Sequence, residues 1–193
     1  EINHAISPAD MRDRFEQQIR WLIDHYTVID LREFVDRLSA GKSLRAVAAL
    51  TFDDGYAGVF EHAAPILRQV GVPATVFVIG TAGRQTGFWW DRKSIVGSID
   101  PALRRDWLNA LRGDETAIVR GDARDELPAS HRPADWAVVR SALQSGLTIG
   151  AHSVTHRSLP TLSDRELEFE IVTSRTMIET ATGARPDWFA YPY

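Results

Sequence analysis

Ala46 to Phe52 reads AVAALTF and runs straight into Asp53-Asp54-Gly55-Tyr56. A continuous apolar run of strand length predicts a strand covered on both faces, as in parallel sheets. The spacing that follows predicts a helix over Val59–Val70, closed by Gly71. A second apolar run, ATVFVI at Ala74–Ile79, then predicts another buried strand. Strand, helix and strand joined by short links form a βαβ unit, which predicts an α/β fold with a parallel sheet or barrel.

The flanks extend this pattern. Ser7-Pro8 opens a helix whose buried face is predicted to carry Met11, Phe15, Ile19, Leu22 and Tyr26. Thr27–Ile29 reads as a short strand, and Leu31–Leu38 as a helix stopped by Gly41. Gly80 to Pro133 is irregular; it contains Phe88-Trp89-Trp90-Asp91 and a predicted helix over Pro101–Leu111. Order resumes with a helix over Ala134–Gln144 ended by Gly146, and with a third strand, Leu147–Ala151, that runs into His152. Ser163 and Glu166 form a capping box for a helix reaching Thr180, with Gly183 as its stop. Asp187–Tyr191 reads as a last strand.

A chain of 193 residues, 44% hydrophobic and 25% charged, suits one globular domain spanning 1–193. The net charge of −4 leaves no basic footprint for nucleic acid. No apolar run approaches the ~20 residues of a membrane span. With no cysteine in the chain, any metal must be held by His and carboxylates. Compartment is left open by the composition.

In parallel α/β architectures, functional side chains gather where strands end. Two polar clusters hold such positions. Asp53 and Asp54 would face opposite ways within a strand, but at a strand end, with Gly55 permitting a sharp turn, both can reach one pocket. Carboxylates that close need a cation or a proton between them. An ordinary Asp-Asp-Gly turn has the same sequence. The second cluster is His152-Ser153-Val154-Thr155-His156. On a helical turn, two His four positions apart share a face and can meet one metal, although solvated or core histidines also recur at this spacing. A carboxylate and two imidazoles together make a three-donor set with room for water.

These two motifs, with Phe189-Ala190-Tyr191-Pro192-Tyr193 as a third, resemble the polysaccharide deacetylases of the NodB-homology type (carbohydrate esterase family four). The resemblance implies a distorted (β/α) barrel with a divalent metal, usually zinc, held by Asp54, His152 and His156 at the strand ends. It implies that Asp53 is the general base that takes a proton from the attacking water, and that a backbone N–H near Tyr193 holds the oxyanion. The implied reaction removes N-acetyl groups from an N-acetylated glycan. Tyr56 and Trp90 are aromatic candidates for contact with the sugar.

Two features depart from the family pattern. Ala190 stands where many members carry an Arg that orients the catalytic Asp. The chain also ends inside the third motif, before the Leu-x-His segment that supplies an acid His in relatives. The barrel is therefore expected to be incomplete at both ends, with self-association of its open edges. Three alternatives stay open: an O-acetyl esterase, a small-amide amidohydrolase, and a non-catalytic metal- or glycan-binding module. Phosphoryl transfer at the Asp pair is disfavoured, because no Gly-rich phosphate loop is present.

Overall fold

The computed structural model describes residues 8–82, 87–88 and 128–192. The chain opens with helix α1 (Pro8–His25), strand β1 (Thr27–Val28) and helix α2 (Leu31–Ser39), whose N-terminus is capped by Asp30 Oδ1 accepting from Glu33 N–H. The AVAALTF run forms two short strands, β2 (Val47–Ala48) and β3 (Leu50–Phe52). A helical segment of Val59–Ala63 continued by α3 (Ala64–Val70) leads to β4 (Ala74–Val78). Helix α4 (Trp136–Gln144), strand β5 (Thr148–Ala151), α5 (Asp164–Glu168) and α6 (Ser174–Thr182) complete the regular elements.

Among the described residues every strand pair is parallel: β1 with β2, β3 with β4, and β4 with β5. They form two sheets, β1-β2 and β3-β4-β5, which β2 and β3, two halves of one run, join in sequence. Trp188–Ala190 adds an edge, with Ala151 N–H donating to Trp188 O at 2.8 Å and Ala190 N–H to Ala151 O at 2.9 Å. The described residues thus form an α/β arc of parallel strands with helices packed against it, as predicted.

Burial follows the order of the sheet. All five residues of the central β4 are buried. Around it one cluster joins Phe60, Val76, Val78, Val139, Ile149 and Ile178. A second gathers Ile19 of α1 with Leu67, Val72 and Ala74, and the Phe15 ring lies 6.1 Å from that of Phe52.

Several sequence expectations are corrected. The 46–52 run is half-buried rather than covered on both faces, and Thr51 is exposed. Leu50 and Phe52 pack against the Ile19 cluster, while the opposite side is only partly covered at Val47 and Ala49 and open at Thr51. On α1, Ile19 is buried, but Met11 and Tyr26 are 46% and 39% exposed. Met11 sits in the first turns of α1 and Tyr26 just past its last residue, His25, both away from the core that Ile19 enters. The 187–191 segment pairs only through a bridge from Phe189 to Ala151. The helices predicted as continuous over 59–70 and from Ser163 onward each contain a π-helical turn, at Val59–Ala63 and Phe169–Thr173. Such turns rotate the residues that follow and recur beside functional sites. The Ser163–Glu166 capping box forms, and Gly183 ends the helix in the left-handed conformation at φ 77°. The predicted helix over 101–111 lies outside the described residues.

Gly55 fixes the junction between β3 and the loop that follows. Its φ is +77°, and a Cβ there would stand 2.8 Å from Val78 Cγ1, in the middle of the core. Gly55→Ala is expected to lower stability by about 2 kcal/mol or more, through left-handed strain plus this overlap. A urea titration against the parent chain measures it.

Candidate metal centre

Register brings the two polar clusters together. Phe52 pairs with Val76, and Val78 pairs with Ala151, so β3 and β5 flank β4 and end at the same rim. Asp54 follows the end of β3 and His152 follows the end of β5. His152 N–H also donates to Val78 O at 2.9 Å, extending the ladder by one residue. Here Asp54 Oδ1 lies 3.4 Å from His152 Nε2 and 3.3 Å from His156 Nε2. The donor atoms of the three residues lie within 4.8 Å of one another.

The convergence is real, but its cause differs from the one predicted. His152–His156 is not a helical turn. Ser153 and His156 both take left-handed backbone angles, φ 64° and 60°, as does Asp54 at 69°. Such angles are uncommon for residues other than glycine and cluster at functional sites. The loop is held in this shape from outside. Ser153 O and Val154 O accept from Gly80 N–H at 2.9 Å and Thr81 N–H at 3.2 Å, and His156 N–H donates to Ser153 Oγ at 2.8 Å.

The donor chemistry fits a cation. His152 Nδ1 is 3.0 Å from Ala190 O. A carbonyl can only accept, so Nδ1 carries the proton and Nε2 presents its lone pair toward Asp54. Asp54 Oδ1 is buried and accepts no hydrogen bond among the described residues. Burial lowers the His156 pKa from 6.5 to about 4; the Asp54 carboxylate pulls upward against this, and neighbouring His152 pushes further down. At neutral pH His156 is therefore an uncharged imidazole able to donate a lone pair. Buried acceptor groups converging with no proton between them are the arrangement a divalent ion satisfies.

A pH dependence follows for the metal-free chain. The unfolded His156 binds a proton below 6.5 and the folded one only below about 4. The unfolded state thus holds more protons in that window, and stability falls as pH drops through it, by on the order of 3 kcal/mol in all. Urea midpoints measured with chelator at about pH 7 and about pH 5 should show this fall. His156→Gln should show a smaller one.

Asp53 is exposed and stands outside the three-donor group. Tyr56 is half-buried, with its ring edge-on to Phe88 at 5.0 Å and to His131 at 6.3 Å. It lines an open groove of about 500 Å³ with Met11, Phe15, Phe52, His62 and His131. Trp90 and Tyr193, the other expected site residues, lie outside the described residues. Two contributors escaped the sequence reading. Ala190 acts through its backbone carbonyl, which no residue type announces. Glu170, buried under the His152–His156 loop, looks in sequence like one more acidic residue on an amphipathic helix.

Comparisons with known proteins bear on the family and the fold. The family model described as Polysaccharide deacetylase matches residues 40–193. A poly-beta-1,6-N-acetyl-D-glucosamine N-deacetylase of Staphylococcus aureus is 35% identical over 78 residues, which cover 40% of this chain and 26% of that protein. The match therefore spans about a quarter of the curated relative's length. A Streptococcus pyogenes deacetylase solved in complex with acetate superposes with a TM-score of 0.61 at 20% identity, covering 98% of this chain and 69% of its own. The IcaB structure from Ammonifex degensii gives 0.60 at 22% identity, covering 100% and 69%. Both likenesses concern the fold. With the family model matching most of its length, the chain belongs to the polysaccharide deacetylase family.

Proposed function

We propose that this chain is a single polysaccharide deacetylase domain and a metal-dependent hydrolase that removes N-acetyl groups from an N-acetylated polysaccharide or oligosaccharide. The observation that carries the reading is the convergence of Asp54 Oδ1, His152 Nε2 and His156 Nε2 on one point at the strand ends. In this reading these three residues hold a divalent cation, zinc by the match of two imidazoles and one carboxylate to its usual donors. When bound, the cation supplies Lewis acidity and lowers the pKa of water beside it.

The chain's own residues then divide the remaining work. Asp53, exposed and free of ligand duty, accepts the proton of the water that attacks the acetamide carbon. Its separation from the donor set argues against a pure binding module, which has no use for a second carboxylate there. Ala190 holds His152 in the tautomer that the donor set needs. Tyr56 offers an aromatic face for a pyranose ring beside the motif. N-acetylated glycan is favoured as substrate because the matched S. aureus relative is, by name, an N-deacetylase of poly-beta-1,6-N-acetyl-D-glucosamine.

Acetate release tests this reading. N-acetylglucosamine oligomers should yield acetate, chelator should stop the release, and added zinc should restore it. Release from O-acetylated xylan oligomers alone would make the chain an esterase. A chain that takes up no divalent ion, or that releases acetate from neither substrate, would sink the proposal.

A further inference from the structure

We propose that Glu170 is a positioning residue for the metal centre: its buried carboxylate sets the shape of the loop that aims His152 and His156. This rests on the metal-centre reading above, in which no residue of the 164–182 helical run donates to the cation. Glu170 is 1% exposed, yet it is a carboxylate inside a helix. Its Oε2 accepts from Val154 N–H at 2.8 Å and from Thr155 N–H at 2.9 Å, and its Oε1 from the Thr155 hydroxyl at 2.6 Å.

The chemistry of the loop calls for such a group. Val154 and Thr155 lie between the left-handed Ser153 and His156. Their adjacent N–H groups turn toward the same point, forming a concavity that favours a negative charge. The carbonyls on the opposite side are already taken by Gly80 and Thr81, including the Thr81 hydroxyl bonded to Val154 O at 2.8 Å. The loop is thus gripped on both sides, by the end of β4 through its carbonyls and by Glu170 through its N–H groups. Among the described residues three donors and no acceptor meet the carboxylate, which suits a group that only accepts. The π-helical turn at Phe169–Thr173, which contains Glu170, interrupts the helix where this carboxylate meets the loop.

Without the carboxylate, the buried Val154 N–H and the part-buried Thr155 N–H lose their acceptor, and the grip of Gly80 and Thr81 alone is left to hold Ser153 and His156 at their left-handed angles. The imidazoles would then separate from Asp54. The fold, carried by the sheet, need not change.

The test compares variants by zinc titration against a competing chelator, at a temperature where each is folded, and by amide exchange in the metal-free state. Glu170→Met keeps the length and removes both acceptors. It is expected to weaken zinc binding by about 10- to 100-fold, the range seen when a partner of a metal ligand is lost. Glu170→Gln should recover most of the loss, since its amide oxygen still accepts from Val154 and Thr155. Exchange protection in Glu170→Met should fall at Val154, Thr155 and His156 and persist in β4. If that variant fails to fold, Thr155→Val, which removes only the hydroxyl donor, should weaken zinc binding several-fold. Zinc affinity of Glu170→Met within about twofold of the parent, or protection lost evenly along the chain, overturns the inference. A parent chain that binds no zinc, but whose variant loses protection at Val154 and Thr155 alone, fails the metal reading and leaves the anchoring intact.

Discussion

Asp54→Asn is expected to weaken zinc binding by more than about 100-fold while leaving the metal-free chain as stable as the parent, or more stable. The affinity loss should exceed what removal of an outer partner causes, because the charged donor itself is gone. The stability result has a separate physical basis. Asp54 Oδ1 is buried, accepts no hydrogen bond among the described residues, and lies 3.4 and 3.3 Å from the Nε2 atoms of His152 and His156. An asparagine there gives up no hydrogen bond, so the metal-free fold has little to lose. Asparagine also tolerates the left-handed angle of 69° at this position better than most residues. A purely structural Asp54 would give the opposite pair of results: reduced stability and unchanged zinc affinity. Competitive zinc titration and chelator-treated thermal melts of the same preparation decide between them.

The second large effect belongs to the neighbouring residue. Asp53→Asn is expected to reduce acetate release from N-acetylglucosamine oligomers by about 10²- to 10⁴-fold, with bound zinc unchanged. Asp53 is exposed and outside the donor set, so its neutralisation leaves the cation's ligands intact. The asparagine side chain retains an oxygen but is far too weak a base to accept a proton at neutral pH. If turnover persisted, Asp53 could not be the general base. If zinc were lost along with turnover, Asp53 would be serving the metal instead. The two adjacent carboxylates should therefore separate cleanly, one variant losing metal and the other losing turnover.

The matching family model and the parallel sheet both rest on features written locally in the chain. Apolar runs at 46–52, 74–79 and 147–151 predicted the strands, and the Ser163–Glu166 pair predicted a helix start that forms. These signals are legible because each depends on neighbours within a few residues: an unbroken apolar run of strand length, or an N–H seeking its nearest acceptor. Asp54, His152 and His156 were recognisable as candidates for the same reason, being chelating residues at the ends of such runs.

Why the two histidines meet was misread. Their spacing suggested a helical turn, whereas the chain bends through two left-handed residues that only contacts from distant segments can hold. The full burial expected for 46–52 failed likewise, because coverage of a strand depends on which elements lie across it. Glu170 and the Ala190 carbonyl could not be found at all. One needed the helix to be packed against a loop fifteen residues away in sequence, and the other needed the last segment to lie beside β5.

The sequence by itself determined the α/β class, the parallel pairing of its strands and the three side chains proposed as metal donors. Tertiary structure alone decided their convergence, the protonated nitrogen of His152, the neutral state of His156 and the buried anchor under the loop. The reason is one of range: backbone propensity acts over a turn or a pleat, while the register across β4, desolvation and long-range hydrogen bonds exist only once the chain has closed on itself.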